Sequence, residues 1–111
     1  MNTPQHILKT IFGYDSFRLN QQEIILHVLD KKDAIVLMPT GGGKSLCYQV
    51  PALCMDGVTI VASPLIALMK DQVDALVVSG VKAAFLNSTQ SNFEQANIIQ
   101  KFKNNDLNIF Y

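Results

Sequence analysis

The sequence has little charge of either sign to spare. Nine Lys and Arg stand against nine Asp and Glu in 111 residues, so the formal net charge is zero. That balance excludes a broad electrostatic grip on a polyanion; any nucleic-acid contact must be local or lie on other sequence. Cysteine is scarce. Cys47 and Cys54 stand seven apart on one expected helix. This is not a metal-ligand spacing, and a bridge between them would have poor geometry. Buried thiols in a reducing cytoplasm are expected. No run approaches the roughly 18 apolar residues of a membrane span. The basic-then-apolar opening of a secretory signal is missing, so neither a membrane partner nor export is expected. There is no repeat and no low-complexity stretch. Apolar residues make up 49% of the chain, enough for the core of one small domain.

One stretch organises the rest: Met38-Pro39-Thr40-Gly41-Gly42-Gly43-Lys44-Ser45. The apolar run Ala34-Ile35-Val36-Leu37 before it reads as a short buried strand. Leu46-Cys47-Tyr48-Gln49-Val50 after it reads as a helix start. Strand, Gly-rich loop, Lys-Ser and helix form the arrangement of a phosphate-binding loop. Glycines at 41, 42 and 43 let backbone N–H groups approach phosphate oxygens closely. The helix N-terminus adds partial positive charge. Lys44 can reach the β and γ phosphates as a point charge, and the Ser45 hydroxyl is placed for Mg²⁺. The strict pattern wants Gly where Met38 stands. An ordinary glycine loop would share the Gly-Gly-Gly-Lys-Ser string; the flanking strand and helix patterns favour the phosphate loop.

The remaining elements are read from caps and periodicity. Residues 3–12 predict a helix, with Thr3 as cap, Pro4 at its first position and Ile7, Leu8, Ile11 and Phe12 as its apolar face. Gly13 stops it. A second helix is predicted for residues 21–29, where Asn20 and Glu23 resemble a capping box. Beyond the phosphate loop the helix should run to Val50, with Pro51 kinking or interrupting it and residues 52–55 resuming it. Val58-Thr59-Ile60-Val61-Ala62 is a β-branched strand. Residues 65–79 predict a long helix that buries Leu65, Leu68, Met69, Val73, Leu76 and Val77 and is closed by Gly80. Ala83-Ala84-Phe85-Leu86 is a third strand. Ser91 and Glu94 form a capping box for a helix to about residue 103, its apolar face being Phe93, Ala96, Ile99 and Phe102. Residues 107–111 begin another strand.

Alternating apolar strands and helices with short turns predict an α/β fold, a parallel sheet with flanking helices. Ligands of such sheets bind beyond the carboxyl ends of the strands. Residues 38–45, 63–65 and 87–89 leave strands at that edge and are expected side by side. Two groups there have two readings each. Tyr14, Arg18 and Gln21 are either a surface loop with a packed aromatic or a nucleobase site, since a ring and a guanidinium stack on a purine and a Gln amide pairs with adenine. Ser63, Asn87 and Ser88 are either strand-end caps or contacts to a nucleic-acid backbone.

Three ordered strings go further: residues 12–21 (Phe-Gly-Tyr-Asp-Ser-Phe-Arg-Leu-Asn-Gln), residues 38–52 around the phosphate loop, and residues 63–73 (Ser-Pro-Leu-Ile-Ala-Leu-Met-Lys-Asp-Gln-Val). Together with Leu86-Asn87-Ser88-Thr89-Gln90, the sequence resembles the RecQ family of superfamily 2 DNA helicases over essentially its whole length. The resemblance implies a P-loop RecA-like first helicase lobe and a 3′-to-5′ ATP-dependent DNA helicase of repair and recombination. It implies ATP, Mg²⁺ and single-stranded or forked DNA as ligands, and a bacterial cytoplasm or nucleoid as the setting. Residues 1–31 would carry the adenine-recognising motif with Tyr14, Arg18 and Gln21, and residues 32–111 an incomplete P-loop domain. Met38 matches a family loop that begins Met-Pro-Thr. Ser63, Pro64, Leu65 and Lys70 fall in the motif along the single-stranded DNA path, and Asn87 and Ser88, in the stretch that also resembles the family, are expected nucleic-acid contacts with them. Leu19-Asn20 stands where many members carry Pro-Gly.

The family's acidic Asp-Glu-x-His box does not occur in these 111 residues. That box, the second RecA-like domain and the zinc-binding and winged-helix parts are expected beyond Tyr111. Phosphoryl transfer needs several such groups together. The chain by itself is therefore expected to hold ATP without cleaving it and to expose an unpaired apolar sheet edge. A nucleotide- or DNA-binding stub without turnover is the alternative. A nucleotide kinase would leave residues 12–21 and 63–73 unexplained.

Overall fold

The computed structural model describes residues 3–38, 43–63 and 65–111. The chain divides into two compact units, Met1–Asp56 and Gly57–Tyr111. Among the described residues no helix is long and apolar enough to cross a membrane.

The first unit is helical: α1 (Pro4–Thr10), α2 (Gln21–Leu29) and α3 (Leu46–Cys54). Thr3 caps α1 as its sequence predicts, its Oγ1 accepting from the His6 N–H at 3.2 Å. Ile7, Ile25 and Val50, one from each helix, form the core, with Phe12, Phe17, Leu29 and Leu46 packed around them. Three predicted features differ. The Asn20/Glu23 capping box does not form: Asn20 has φ −93° and ψ 14°, away from the extended conformation a capping side chain needs. Helix α3 runs through Pro51 to Cys54 without interruption. The Pro51 ring is fully buried, and that packing offsets the hydrogen bond its missing N–H cannot make. Residues 34–37 form no strand. Ile35 and Leu37 are 95% and 93% exposed, and residues 34–38 together line an open groove of about 330 Å³ with Glu23, Ile24 and His27 of α2. A strand needs a neighbour for its backbone groups, and no other described segment of this unit is a strand.

The second unit holds the parallel sheet, β1 (Thr59–Ile60), β2 (Ala83–Ala84) and β3 (Ile109–Phe110), with helices α4 (Ile66–Val78) and α5 (Asn92–Lys103). Its order is β1-β3-β2, both neighbours running parallel to β3. Thr59 and Ala83 both register with Ile109, and Ile60 and Ala84 with Phe110. Ile109 is fully buried at the centre. Helix α4 ends as Gly80 predicts: Gly80 takes φ +88°, its N–H reaches Val77 O, and the Val81 N–H reaches Leu76 O.

Two apolar faces are narrower than their periodicity predicts. Helix α4 buries Met69, Val73 and Leu76 but leaves Leu65, Leu68 and Val77 exposed. Helix α5 buries none of its residues. Phe102 packs on Phe110 with ring centroids 5.1 Å apart, whereas Phe93 is 76% exposed. With only two-residue strands beneath them, these helices have little sheet surface to cover.

Candidate nucleotide site

The site is built where the loop between α1 and α2 meets the residue that precedes Lys44. Gly13 turns the chain out of α1 with φ +77°. The Tyr14 N–H bonds Leu8 O at 3.1 Å, and Gln5 Nε2 bonds Asp15 O at 2.6 Å. Phe17 anchors the loop in the core. Leu19 then takes φ +49°, a value that proline, fixed near −65°, cannot adopt. A proline at position 19 could therefore not build the same turn.

Gln21 opens α2 and is 2% exposed. Its Oε1 accepts from the Arg18 N–H at 2.8 Å, and its Nε2 donates to Gly43 O at 3.1 Å. The amide thus ties the first motif to the phosphate loop across 22 residues of sequence. Gly43 sits at φ +77°, and a Cβ placed there would stand 2.2 Å from Gln21 Nε2 and 3.7 Å from Arg18 Nη2. Both the backbone angle and the Gln21 contact demand glycine here. Sequence reasoning named Gln21 and Gly43 separately and missed their contact. Nothing in the spacing of the two motifs signals which loop carbonyl faces the amide.

Lys44 is exposed, and Ser45 leads into α3. Ser45 is already helical at φ −61° and ψ −35°, and its side chain makes no capping bond, so its hydroxyl is not spent on the helix. Its carbonyl instead accepts from the Gln49 N–H at 2.9 Å. Behind the loop, Cys47 is buried, with Sγ 4.0 Å from Gly43 O and 3.9 Å from Met38 Sδ. Burial pushes the Cys47 and Cys54 thiols up from their ordinary range, as expected of structural cysteines. Tyr14 is 57% exposed. Pro39, Thr40, Gly41 and Gly42 lie outside the described residues.

The residues proposed for nucleic acid lie in the second unit. Ser63 follows β1, and its Oγ accepts from the Leu65 N–H at 3.2 Å, turning the chain into α4. Leu65 is 57% exposed; Pro64 lies outside the described residues. Lys70 pairs with Asp74 at 2.6 Å on the solvent side of α4, and the hydrogen bond to Asp74 raises its pKa. Asn87 follows β2 and organises its own loop: Oδ1 accepts from the Thr89 N–H at 2.9 Å and from the Thr89 hydroxyl. Ser88 is exposed. The loops after β1 and β2 leave the sheet at the same end, because both strands run parallel to β3. Among the described residues no group of three His, Cys, Asp or Glu could hold a metal ion.

Comparison with known proteins gives these motifs a family. Residues 18–111 match the family model of the DEAD/DEAH box helicases. The chain is 52% identical to the ATP-dependent DNA helicase RecQ of Haemophilus influenzae over 109 residues, covering 98% of this chain and 18% of that protein. It is 49% identical to the RecQ of Bacillus subtilis, covering 100% of this chain and 19% of that protein. It is also 49% identical to the ATP-dependent DNA helicase Q1 of Rattus norvegicus over 87 residues, 78% of this chain and 14% of that protein. The chain thus spans less than a fifth of the length of these relatives. The parallel sheet with flanking helices fits part of a RecA-like lobe. A chain matched from residue 18 to residue 111 by that family model, and about half identical to RecQ helicases along nearly its whole length, belongs to the DEAD/DEAH box helicase family, among its RecQ-type members.

Proposed function

We propose that this chain is the ATP-holding part of a RecQ-type DNA helicase that moves 3′ to 5′ and serves repair and recombination. The observation that carries the reading is the Gln21–Gly43 hydrogen bond, which links a base-recognising motif to a phosphate loop. Functionally, residues 1–31 supply base selection and residues 32–111 the phosphate loop and sheet. Lys44 neutralises the triphosphate as a point charge, beside the positive end of α3. Ser45 would hold Mg²⁺ through its hydroxyl oxygen, and the ion, when bound, would offset phosphate charge. The donor set fits, since Mg²⁺ needs few protein ligands and the Ser45 hydroxyl makes no capping bond.

Gln21 keeps one N–H and one lone pair beyond its two protein bonds, enough for adenine N7 and N6. Because Gln21 is 2% exposed, a base reaches its remaining N–H and lone pair only when the side chains over them shift, with both protein bonds of the amide kept. Tyr14 and Arg18 then stack on the base. Single-stranded and forked DNA are the proposed polymer ligands, contacted at Ser63, Pro64, Leu65, Lys70, Asn87 and Ser88, in a bacterial cytoplasmic setting. Cleavage of ATP is assigned to residues outside these 111, because the acidic box is not in the sequence.

The test is Mg²⁺–ATP binding by the chain, read by calorimetry. Lys44→Ala should weaken it at least about tenfold, the size of a lost charge-assisted hydrogen bond of about 1.5–3 kcal/mol. Equal affinity would overturn the phosphate-loop assignment. In a longer parent, the same change should abolish DNA-stimulated ATP hydrolysis.

A further inference from the structure

We propose that Asn87 positions Ser88 for a strand phosphate and does not itself touch the strand, which narrows the contacts proposed above and rests on their nucleic-acid reading. The hydrogen bonds around Asn87 carry the assignment. Its N–H donates to Gln90 Oε1 at 3.1 Å, and its carbonyl accepts from Gln95 Nε2 at 2.9 Å. Gln90 Nε2 donates in turn to Phe85 O at 2.9 Å, which ties the loop back to the end of β2. Asn87 Oδ1 accepts from the Thr89 N–H at 2.9 Å and from the Thr89 hydroxyl, so both of its lone pairs are filled. A backbone N–H can only donate, so the bond from Thr89 fixes which end of the amide is oxygen. The other end, Nδ2, faces Met69 Sδ at 3.9 Å. Met69 belongs to α4 and is 7% exposed. The Asn87 side chain is thus engaged by its own loop on one side and by α4 on the other.

Ser88 differs from its neighbours. It is exposed and sits between two residues whose backbones are pinned. Among the described residues, neither its hydroxyl nor its N–H has a protein partner. The Thr89 hydroxyl, by contrast, is bonded to Asn87. The loop leaves β2 at the edge where ligands of parallel sheets bind. Residues 75–93 contain no Asp or Glu, and the carboxylate of Glu94 accepts from the Ser91 N–H, so the charge pattern does not oppose an anion. A hydroxyl and an N–H on one held residue suit phosphate oxygens, a contact that sets register without reading sequence. The two readings of this strand end therefore divide between adjacent residues: Asn87 caps, and Ser88 makes the contact.

A double-mutant cycle on the 111-residue chain tests this. The probe is a labelled oligothymidylate of about a dozen nucleotides, at about 50 mM salt, where phosphate contacts are strong, and the readout is its anisotropy. Ser88→Ala should weaken binding about two- to tenfold, the size of one net hydrogen bond. Asn87→Ala should weaken it at least as much, because the Ser88 N–H is displaced along with the hydroxyl. In the Asn87→Ala background, Ser88→Ala should then add less than about twofold. Asn87→Ser keeps an oxygen for the Thr89 N–H and should bind more tightly than Asn87→Ala. Gln95→Ala removes only the bond to the Asn87 carbonyl and should show the same dependence on Ser88, which keeps the test open if Asn87→Ala does not fold. Losses at Asn87 and Ser88 that multiply, or Ser88→Ala binding as tightly as wild type, overturn the positioning role and leave the nucleic-acid reading standing. So does Asn87→Ser binding no more tightly than Asn87→Ala. A wild-type chain that binds no oligonucleotide overturns both.

Discussion

Gly43→Ala is the sharpest test of how the two motifs are joined. Two costs arise. An alanine at φ +77° is strained by about 1–2 kcal/mol. Its Cβ would also meet Gln21 Nε2 at 2.2 Å, so the amide must leave Gly43 O. A buried amide and carbonyl left unpaired cost about 1–3 kcal/mol. The sum is about 2–5 kcal/mol, a large share of the roughly 5–15 kcal/mol that holds a small domain folded. Urea unfolding of the 111-residue chain, followed by circular dichroism, measures it. A double-mutant cycle separates the parts. In a Gln21→Ala background the clash is gone, and Arg18 Nη2, 3.7 Å from the new Cβ, is no obstacle. There Gly43→Ala should cost only the backbone strain of about 1–2 kcal/mol. The coupling should therefore be about 1–3 kcal/mol. An equal cost of Gly43→Ala in both backgrounds would show that Gln21 does not touch the loop, and the link between base and phosphate recognition would fall with it.

Two further outcomes are expected. Leu19, at φ +49° and 71% exposed, should gain up to about 1 kcal/mol on Leu19→Gly, whereas Leu19→Pro should lose about 1 kcal/mol or more in the same urea titration; a proline variant as stable as wild type would refute the left-handed turn. Burial raises the folded-state pKa of Cys47 and Cys54, so above about pH 8.5 the unfolded chain holds fewer protons than the folded one and stability should fall as pH rises; a Cys47→Ala, Cys54→Ala chain should lose that slope, and a slope unchanged by the double substitution would refute the assignment.

Much of this protein was legible in its residues. Thr3 before Pro4, Ser91 three before Glu94 and Gly80 after Val78 fixed helix ends, because caps are local: a side chain or a positive φ satisfies groups within one turn. The RecQ resemblance was legible for a related reason, since ordered motifs keep their residues in fixed spacing. The strand at residues 34–37 was not, because an apolar alternation becomes a strand only where another strand pairs with it, and none among the described residues of its unit does. The apolar faces of α4 and α5 failed in the same way: periodicity names the residues able to be buried, while Leu68, Val77 and Phe93 stay exposed for want of a surface to cover them. Asn20 and Glu23 matched a capping box in type, yet the turn through Leu19 set Asn20 at the wrong angles for one. The Gln21–Gly43 contact belongs wholly to the tertiary structure. Sequence supplied an amide and a glycine; only packing α2 against α3 around Ile25 and Val50 brought them to hydrogen-bonding distance.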